Sequence, residues 1–281
     1  PQEFIVDDQD GVQNPLGMAA ARLEVNVHIV TGSVTSAQNI IKCCNQSGLD
    51  VEDIVLEPLS SSQAVLSPDE QEVGVVLVDI GGGTTDVTIY SEGSIVHTAV
   101  LALGGNHLTH DIAIGLGAPL HEAEEIKHNF GVAMTSMVDE DEMIEVPSVG
   151  GRNNRTMKKQ VLASIIEDRF REIFELIAHE IEKTHFHTLM ASGVVITGGT
   201  CIMPGADQLA SQVLNLPVRV GFPENISGLR EMIYSPKYAT SVGLVRYGIT
   251  SNQGKLHFAG DDTNLFNKVS RRMKDWMQNF F

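Results

Sequence analysis

The stretch VVLVDIGGGTTDVTIYSEGSIVHTAV, residues 75–100, sets three consecutive glycines between two runs that both read as strands. A Walker phosphate loop would need a Lys followed by Ser or Thr opening a helix. A dinucleotide fingerprint would need GxGxxG opening a helix. DIGGGTTD has neither ending, and DVTIY alternates at period two. The chain therefore turns back on itself at Gly81, Gly82 and Gly83 as a hairpin. Consecutive N–H groups in such a turn converge on an anion-binding concavity, and missing Cβ atoms let the backbone approach a phosphate closely. Thr84 and Thr85 add hydroxyl donors. Asp79, at the strand end, can hold a magnesium ion through its waters.

Outward from the hairpin, SIVHTAVLAL supplies a third strand, and the short turns GGG and SEG make the three an antiparallel meander. Upstream, EVNVHIV (24–30) reads as a strand. SVTSAQNIIKCCNQSG reads as a helix with Ser33 as N-cap and Gly48 past its end, and DIVLEP as a short strand stopped by Pro58. Downstream, Asn106–Gly117 and Pro119–Asn129 read as helices, with Pro119 in a first helical position. Residues 134–155 read as loop, with the acidic run DEDE (139–142) as a solvated turn, and 156–189 as a long helix. GVVITGG is a strand, PGADQLASQVLN a helix, VRV a strand and YATSVGLVRYG a helix. Helix–strand mixing throughout makes the fold α/β.

The 281 residues, 42% of them hydrophobic, can build one large domain or two ordinary ones. A formal charge of −17 argues against nucleic acid as a partner of the body. Three cysteines, two of them adjacent (Cys43, Cys44), make neither a disulfide framework nor a zinc spacing, which fits a reduced, cytosolic setting. No run of about 18 apolar residues and no secretory pattern is present. The chain opens on Pro1, and a fragment is expected.

DIGGGTTD resembles the second phosphate loop of the actin and heat-shock-chaperone ATPase superfamily, in which two α/β lobes clamp a nucleotide. Three more stretches resemble its elements in chain order. HEAEEIKHNFG carries Glu124 and Lys127 three apart on one helix face, an ordinary i,i+3 pair by spacing alone, which the superfamily sets around ribose and adenine. VVITGGTCIMPGADQLA, otherwise a generic strand-to-helix turn, would lay Gly198, Gly199 and Thr200 against the purine. LEPLSSSQAVL would place Glu57, otherwise a solvated loop acid, where a carboxylate orients the attacking water. The resemblance implies ATP and Mg2+ as cofactors. The superfamily's first phosphate loop is not found, so the chain is expected to start midway through the first lobe and to carry half a nucleotide site. The implied organisation is a small α/β subdomain (1–56), a remnant of the first lobe (57–72), a second lobe (73–249) with a helical insert near 107–190, a linker (250–262) and a terminal helix (263–281).

That terminal stretch, LFNKVSRRMKDWMQNFF, is two-faced. At about 100° per residue, Leu265, Phe266, Val269, Met273, Trp276, Met277, Phe280 and Phe281 fall within roughly 160° of arc. Lys268, Arg271, Arg272, Lys274 and Asp275 take the other side. From Thr263 onward four bases face one acid, a local +3 that leaves about −20 on the rest of the chain. Aromatics opposite bases, after a polar Gly- and Asp-containing linker, describe a helix lying in an anionic membrane surface. A terminal helix docked on the body and a calmodulin-type target are the alternatives.

The order of segments resembles the FtsA family of bacterial cell-division proteins over essentially the whole chain. PQEFIVDDQDGVQNPLGM with RLEVNVHIVTG resembles the family's distinctive small subdomain, and EVPSVGGRNNRTMKKQVLASIIEDRFREIFELI its helical subdomain. The resemblance implies a membrane adaptor that self-associates into actin-like filaments, binds the C-terminal tail of the tubulin-like FtsZ and meets other division proteins. It also implies the cytoplasmic face of the inner membrane, at the septum, as the location, with weak or no ATPase activity. By position, Arg169 and Glu172 are the candidates for the FtsZ contact, with Phe170, Ile173 and Phe174 as an apolar floor. A small-molecule kinase on the same scaffold and an MreB-like shape-determining homologue are the competing readings. Trp276→Glu with Phe280→Glu is expected to abolish sedimentation of the chain with anionic vesicles while the body stays folded, because full burial of each such side chain is worth about 1.5–3 kcal/mol; retained sedimentation would remove the membrane reading.

Overall fold

The computed structural model describes residues 1–148, 153–184, 191–226 and 230–256, with side chains placed to residue 250. The expected terminal helix (263–281) lies outside the described residues. Contacts divide the chain into residues 1–244 and 245–281.

A five-stranded sheet organises the larger unit. Its strands are β4 (Val75–Ile80), β5 (Thr85–Ser91), β6 (Ser94–Leu101), β9 (Val194–Thr197) and β10 (Val218–Val220), in the order β10-β9-β4-β5-β6. β4, β5 and β6 form the antiparallel meander, with Asp79 opposite Asp86 and Ile80 opposite Thr85. β9 and β10 run parallel to β4, as β6 does, so four strands end on the side of the sheet that carries the glycine turn. Ligand crevices of α/β sheets open at such carboxyl ends.

Residue alternation on β4 divides the core. Val76, Val78 and Ile80 face a large apolar layer supplied by α4 (Gly105–Leu116), α5 (Leu120–Phe130), α6 (Lys159–Glu182) and α7 (Ala206–Leu214). Val75 and Leu77 face the opposite way, onto Ala64 and Val65 of α2 (Glu57–Val65) and Ala239 at the start of α9 (Ala239–Leu256), which follows the short α8 (Arg230–Ile233). Asp79 shares the second face by parity. α2 and α9 cross so closely that a Cβ on Gly243 would stand 1.8 Å from the Ser60 carbonyl oxygen.

The N-terminal piece is a separate sheet of order β2-β1-β3, from β1 (Glu3–Val6), β2 (Gln9–Val12) and β3 (Leu23–Asn26). α1 (Val34–Gln46) follows, N-capped by Ser33, whose hydroxyl accepts from Ser36 N–H. Gln2 and Ser94 tie this sheet to the edge strand β6, Ser94 Oγ donating to Gln2 O at 2.7 Å and Gln2 Nε2 to Ile95 O at 3.0 Å.

Several expected boundaries are corrected. The strand expected over 24–30 ends at Asn26, and DIVLEP forms no strand: Pro58 lacks an N–H and suits the start of a helix, so it opens α2 rather than ending a strand. Pro119 caps α5 from outside instead of sitting within it. The expected loop over 134–155 contains β7 (Met143–Val146), which pairs with β8 (Arg155–Lys158), so the long helix starts at Lys159. α9 continues to Leu256, through the first residues of the expected linker.

α3 (Pro68–Val73) leads into β4 and begins with a capping box in which Ser67 and Glu70 bond reciprocally. Arg219 on the edge strand β10 clamps Glu70 with both carboxylate oxygens at 2.7 Å and reaches Val65 O at 2.8 Å. Partial burial alone would raise the Glu70 pKa, but Arg219 and the Ser67 N–H and hydroxyl outweigh it and hold the carboxyl below the ordinary glutamate value. A depressed folded pKa means stabilisation that is present above the unfolded value and lost as pH falls through the folded one. Arg219→Ala is therefore expected to cost about 1–2 kcal/mol at neutral pH. In urea unfolding the loss should shrink below the ordinary glutamate range, and an equal loss at every pH would remove Glu70 from the account.

Candidate nucleotide site

The glycine turn is a hairpin, as its sequence requires. Gly81 N–H donates to Thr84 O at 2.9 Å, closing the turn between β4 and β5. Its carbonyls are held from two directions. Gly81 O accepts Gly105 N–H at 2.9 Å and the Thr200 hydroxyl at 2.9 Å, and Gly82 O accepts Asn106 N–H at 2.7 Å. The approach is possible only without side chains on α4's first residues: a Cβ on Gly104 would lie 2.6 Å from Gly81 O, and one on Gly105 would lie 2.6 Å from Thr200 Oγ1. Gly82, Gly83 and Thr84 are exposed, and among the described residues their N–H groups make no backbone hydrogen bond. Those three donors suit an anion. Thr85, expected as a further donor, is fully buried and gives its hydroxyl proton to Leu103 O at 2.8 Å, so it braces the hairpin.

Behind the turn sits a group of carboxylates. Asp79 is buried, and its Oδ2 accepts from Ser61 Oγ at 2.6 Å and Thr240 Oγ1 at 3.4 Å. Burial raises its pKa against those two hydrogen bonds. Gly198 backs it at φ +92°, where a Cβ would stand 2.5 Å from Asp79 Oδ1. Gly198 is thus placed against Asp79 rather than on the cavity wall. Asp86, on the same sheet face, is pushed up to about 6 by burial and then by the charges of Glu57 and Asp79. Glu57 stands at the first turn of α2 rather than in a loop. Its surface is open, yet the protein around its carboxyl and then Asp79 raise its pKa, against a hydrogen bond from Thr240. Among the described residues no group of three His, Cys, Asp or Glu is placed to ligate a metal directly. The residues present fit a cation held through water at Asp79, since three neighbouring carboxylates with raised pKa values favour added positive charge.

On the far side of α4's start lies a cavity of about 570 Å3, within the range of small-molecule sites. Gly82, Glu124, Lys127, Gly199 and Thr200, all expected from the sequence, line it. Asn106, Met203 and Lys237 line it too and were not foreseen. The glycine pair ahead of Asn106 signals a close approach at α4, but nothing local marks Lys237, which sits in the short 3-10 turn Pro236–Tyr238 just before α9. Glu124 Oε2 takes the Lys127 ammonium at 2.7 Å and the Thr109 hydroxyl, and Oε1 pairs with His128 Nε2 at 3.0 Å. Burial opposes ionisation of Glu124, but Lys127, Thr109 and His128 together hold its pKa low.

The residues expected to meet a peptide partner are arranged otherwise. Arg169 grips Asp111 of α4 through Nε at 2.6 Å and Nη2 at 3.1 Å, and also bonds Glu172. It therefore fastens α6 to α4. Phe170, Ile173 and Phe174 are fully buried in the core, with the two phenyl rings stacked at 5.6 Å, so the expected apolar floor beside Arg169 is corrected to interior packing. No helix among the described residues is long and apolar enough to cross a membrane, and Leu265–Phe281 lie outside them.

The profile of the family described as "Cell division protein FtsA" matches residues 76–243, and that of "SHS2 domain inserted in FTSA" matches residues 1–31. The cell division protein FtsA of Pseudomonas aeruginosa is 42% identical across the whole chain, which spans 68% of that relative; for Escherichia coli K12 the figures are 39% and 69%. Among solved structures, MreB5 of Spiroplasma citri bound to ADP superposes with a TM-score of 0.64 at 18% identity, over 79% of this chain and 68% of that one. The PilM–PilN type IV pilus biogenesis complex gives 0.56 at 17%, over 76% and 57%. Gly198→Ala is expected to destabilise the chain by about 2–4 kcal/mol, from the positive φ and the clash with Asp79. Gly83→Ala, with open space at its Cβ, should stay within about 0.5 kcal/mol of wild type; equal unfolding midpoints for the two variants would contradict the placement of Gly198.

Proposed function

Because the chain belongs to the FtsA family of cell division proteins and has the actin-like ATPase fold, we propose that it binds ATP with Mg2+ and uses the nucleotide to set the conformation of a division adaptor. The observation that carries this is the 570 Å3 cavity opening beside three exposed N–H groups of the glycine turn. In this reading the N–H groups of Gly82, Gly83 and Thr84 receive phosphate oxygens. Asp79, held by Ser61 and Thr240, orients waters around the magnesium ion. Glu124 and Gly199 bound the ribose and base, and Lys237 lines the cavity beside Gly199. MreB5 was solved with ADP and with AMPPNP, which supports a nucleotide on this scaffold. Glu57 and Asp86 could orient a water, and slow turnover or none is expected from two acids whose pKa values are raised by burial and by neighbouring carboxylates. A bound nucleotide would act as a conformational ligand, stabilising whichever arrangement it contacts best.

The adaptor role extends the same reading. The two-faced helix of 263–281 would hold the chain on the cytoplasmic face of the inner membrane at the septum, self-association would build filaments, and FtsZ and other division proteins would be the partners. Arg169 and Glu172 remain the proposed FtsZ contact through their charges, with the acidic neighbours Asp111 and Asp168 in the same shallow groove. The family match over 76–243 favours this role over an MreB-like one, and a kinase would have no use for the basic, aromatic terminus.

Titration calorimetry tests the site. Asp79→Asn is expected to weaken Mg-ATP binding about tenfold, through loss of one charge near the cation, while binding in excess EDTA changes little. Unchanged Mg-ATP affinity would take Asp79 out of the site.

A further inference from the structure

The ionisable side chains on the cavity wall are Glu124, Lys127, His128 and Lys237. The first three meet one another, Glu124 taking Lys127 at 2.7 Å and His128 at 3.0 Å. Lys237 stands apart from them. Among the described residues no carboxylate pairs with it, and its ammonium lies over the Tyr238 ring, 4.8 Å from the centroid. The side chain is exposed. A cation–π contact at an exposed site is weak, so the ammonium can leave the ring for a stronger partner.

The root of the side chain limits what that partner can be. A Cβ on Gly199 would meet Lys237 Cβ at 3.7 Å. The neighbours of Gly199 both touch the phosphate end of the site. Gly198 backs Asp79 and Ile80, where a Cβ would lie 2.5 Å from Asp79 Oδ1 and from Ile80 O, and the Thr200 hydroxyl donates to Gly81 O at 2.9 Å. Three residues beyond Lys237, Thr240 bonds Asp79. Lys237 therefore springs from beside the ends of β4 and β9, with three rotatable donors on a flexible four-carbon stem. In a bound nucleotide the glycine turn takes the outer phosphates, while Glu124 and Gly199 bound the ribose. The α-phosphate joins the two and is the anionic group nearest Gly199. The Lys127 charge is already met by Glu124, which leaves Lys237 as the positive charge on this wall without a carboxylate of its own among the described residues.

We propose that Lys237 is a movable arm that leaves Tyr238 and binds the α-phosphate of a nucleotide in the cavity. The inference rests on the nucleotide reading and deepens it. A single phosphate on the nucleoside then raises affinity, with or without magnesium, because an ammonium meets a phosphate oxygen directly.

Equilibrium dialysis of the full chain against labelled ATP, AMP and adenosine tests the arm. Lys237→Met keeps the stem and removes the charge. It is expected to weaken ATP and AMP about tenfold each and to leave adenosine within about twofold, as loss of a charge-assisted hydrogen bond implies. The loss for ATP should persist in excess EDTA, where Asp79→Asn changes little, and Lys237→Arg should restore most of it. Adenosine weakened as much as AMP would make Lys237 a piece of wall, AMP bound as tightly as by the wild type would take the arm off the α-phosphate, and a loss confined to magnesium-loaded ATP would assign the effect to the metal; each overturns the proposal. A wild-type chain that binds ATP but holds AMP no better than adenosine refutes the arm alone, whereas one that binds none of the three refutes the nucleotide reading itself.

Discussion

The carbonyl of Gly81 is the point on which the site depends. It accepts one hydrogen bond from the start of α4 and another from Thr200, and so joins three segments far apart in sequence. A carbonyl oxygen has two lone pairs, and both are used. The turn is thereby fixed with its carbonyls inward and its N–H groups outward, the orientation an anion requires. None of the three glycines in the turn takes a positive φ, so their conformation alone does not hold it. The close approach of Gly104 and Gly105 does, since no residue with a Cβ would let α4 stand so near.

The opposite face of the sheet carries a cost. Burial raises the pKa values of Asp79, Asp86 and Glu57, and the charges of neighbouring carboxylates add to the rise at Glu57 and Asp86. Hydroxyls of Ser61 and Thr240 satisfy Asp79, but a hydroxyl cannot neutralise a carboxylate. Such an arrangement is unfavourable in a site with no cation to receive and sensible in one that takes a cation with its ligand. The same hydroxyls belong to α2 and α9, which cross at Ser60 and Gly243.

The helix Lys159–Glu182 shows how a charged pattern can mislead. EDRFREIFE reads as charges flanking an apolar floor. In the folded chain the apolar residues of this stretch point into the core, and Arg169 is bound to Asp111. Periodicity identifies the buried stripe of a helix, but an aromatic on that stripe looks the same whether it meets a partner peptide or its own sheet.

What the sequence by itself determined was local. The DIGGGTTD hairpin, the meander of β4, β5 and β6, the Ser33 cap and the order of strand, glycine loop and helix after Val194 all follow from alternation, turn residues and capping, and the family resemblance rests on these stretches. Tertiary structure decided what each side chain meets. DIVLEP became an approach to α2 because Pro58 opens a helix that packs on β4. Thr85 turned inward to Leu103, Lys127 met a carbonyl 22 residues away as well as Glu124 on its own helix, and Lys237 arrived at the cavity from beyond β10. Backbone preference acts over a few neighbours, whereas a hydrogen-bond partner is chosen by packing between elements, and no spacing within a single segment records that choice.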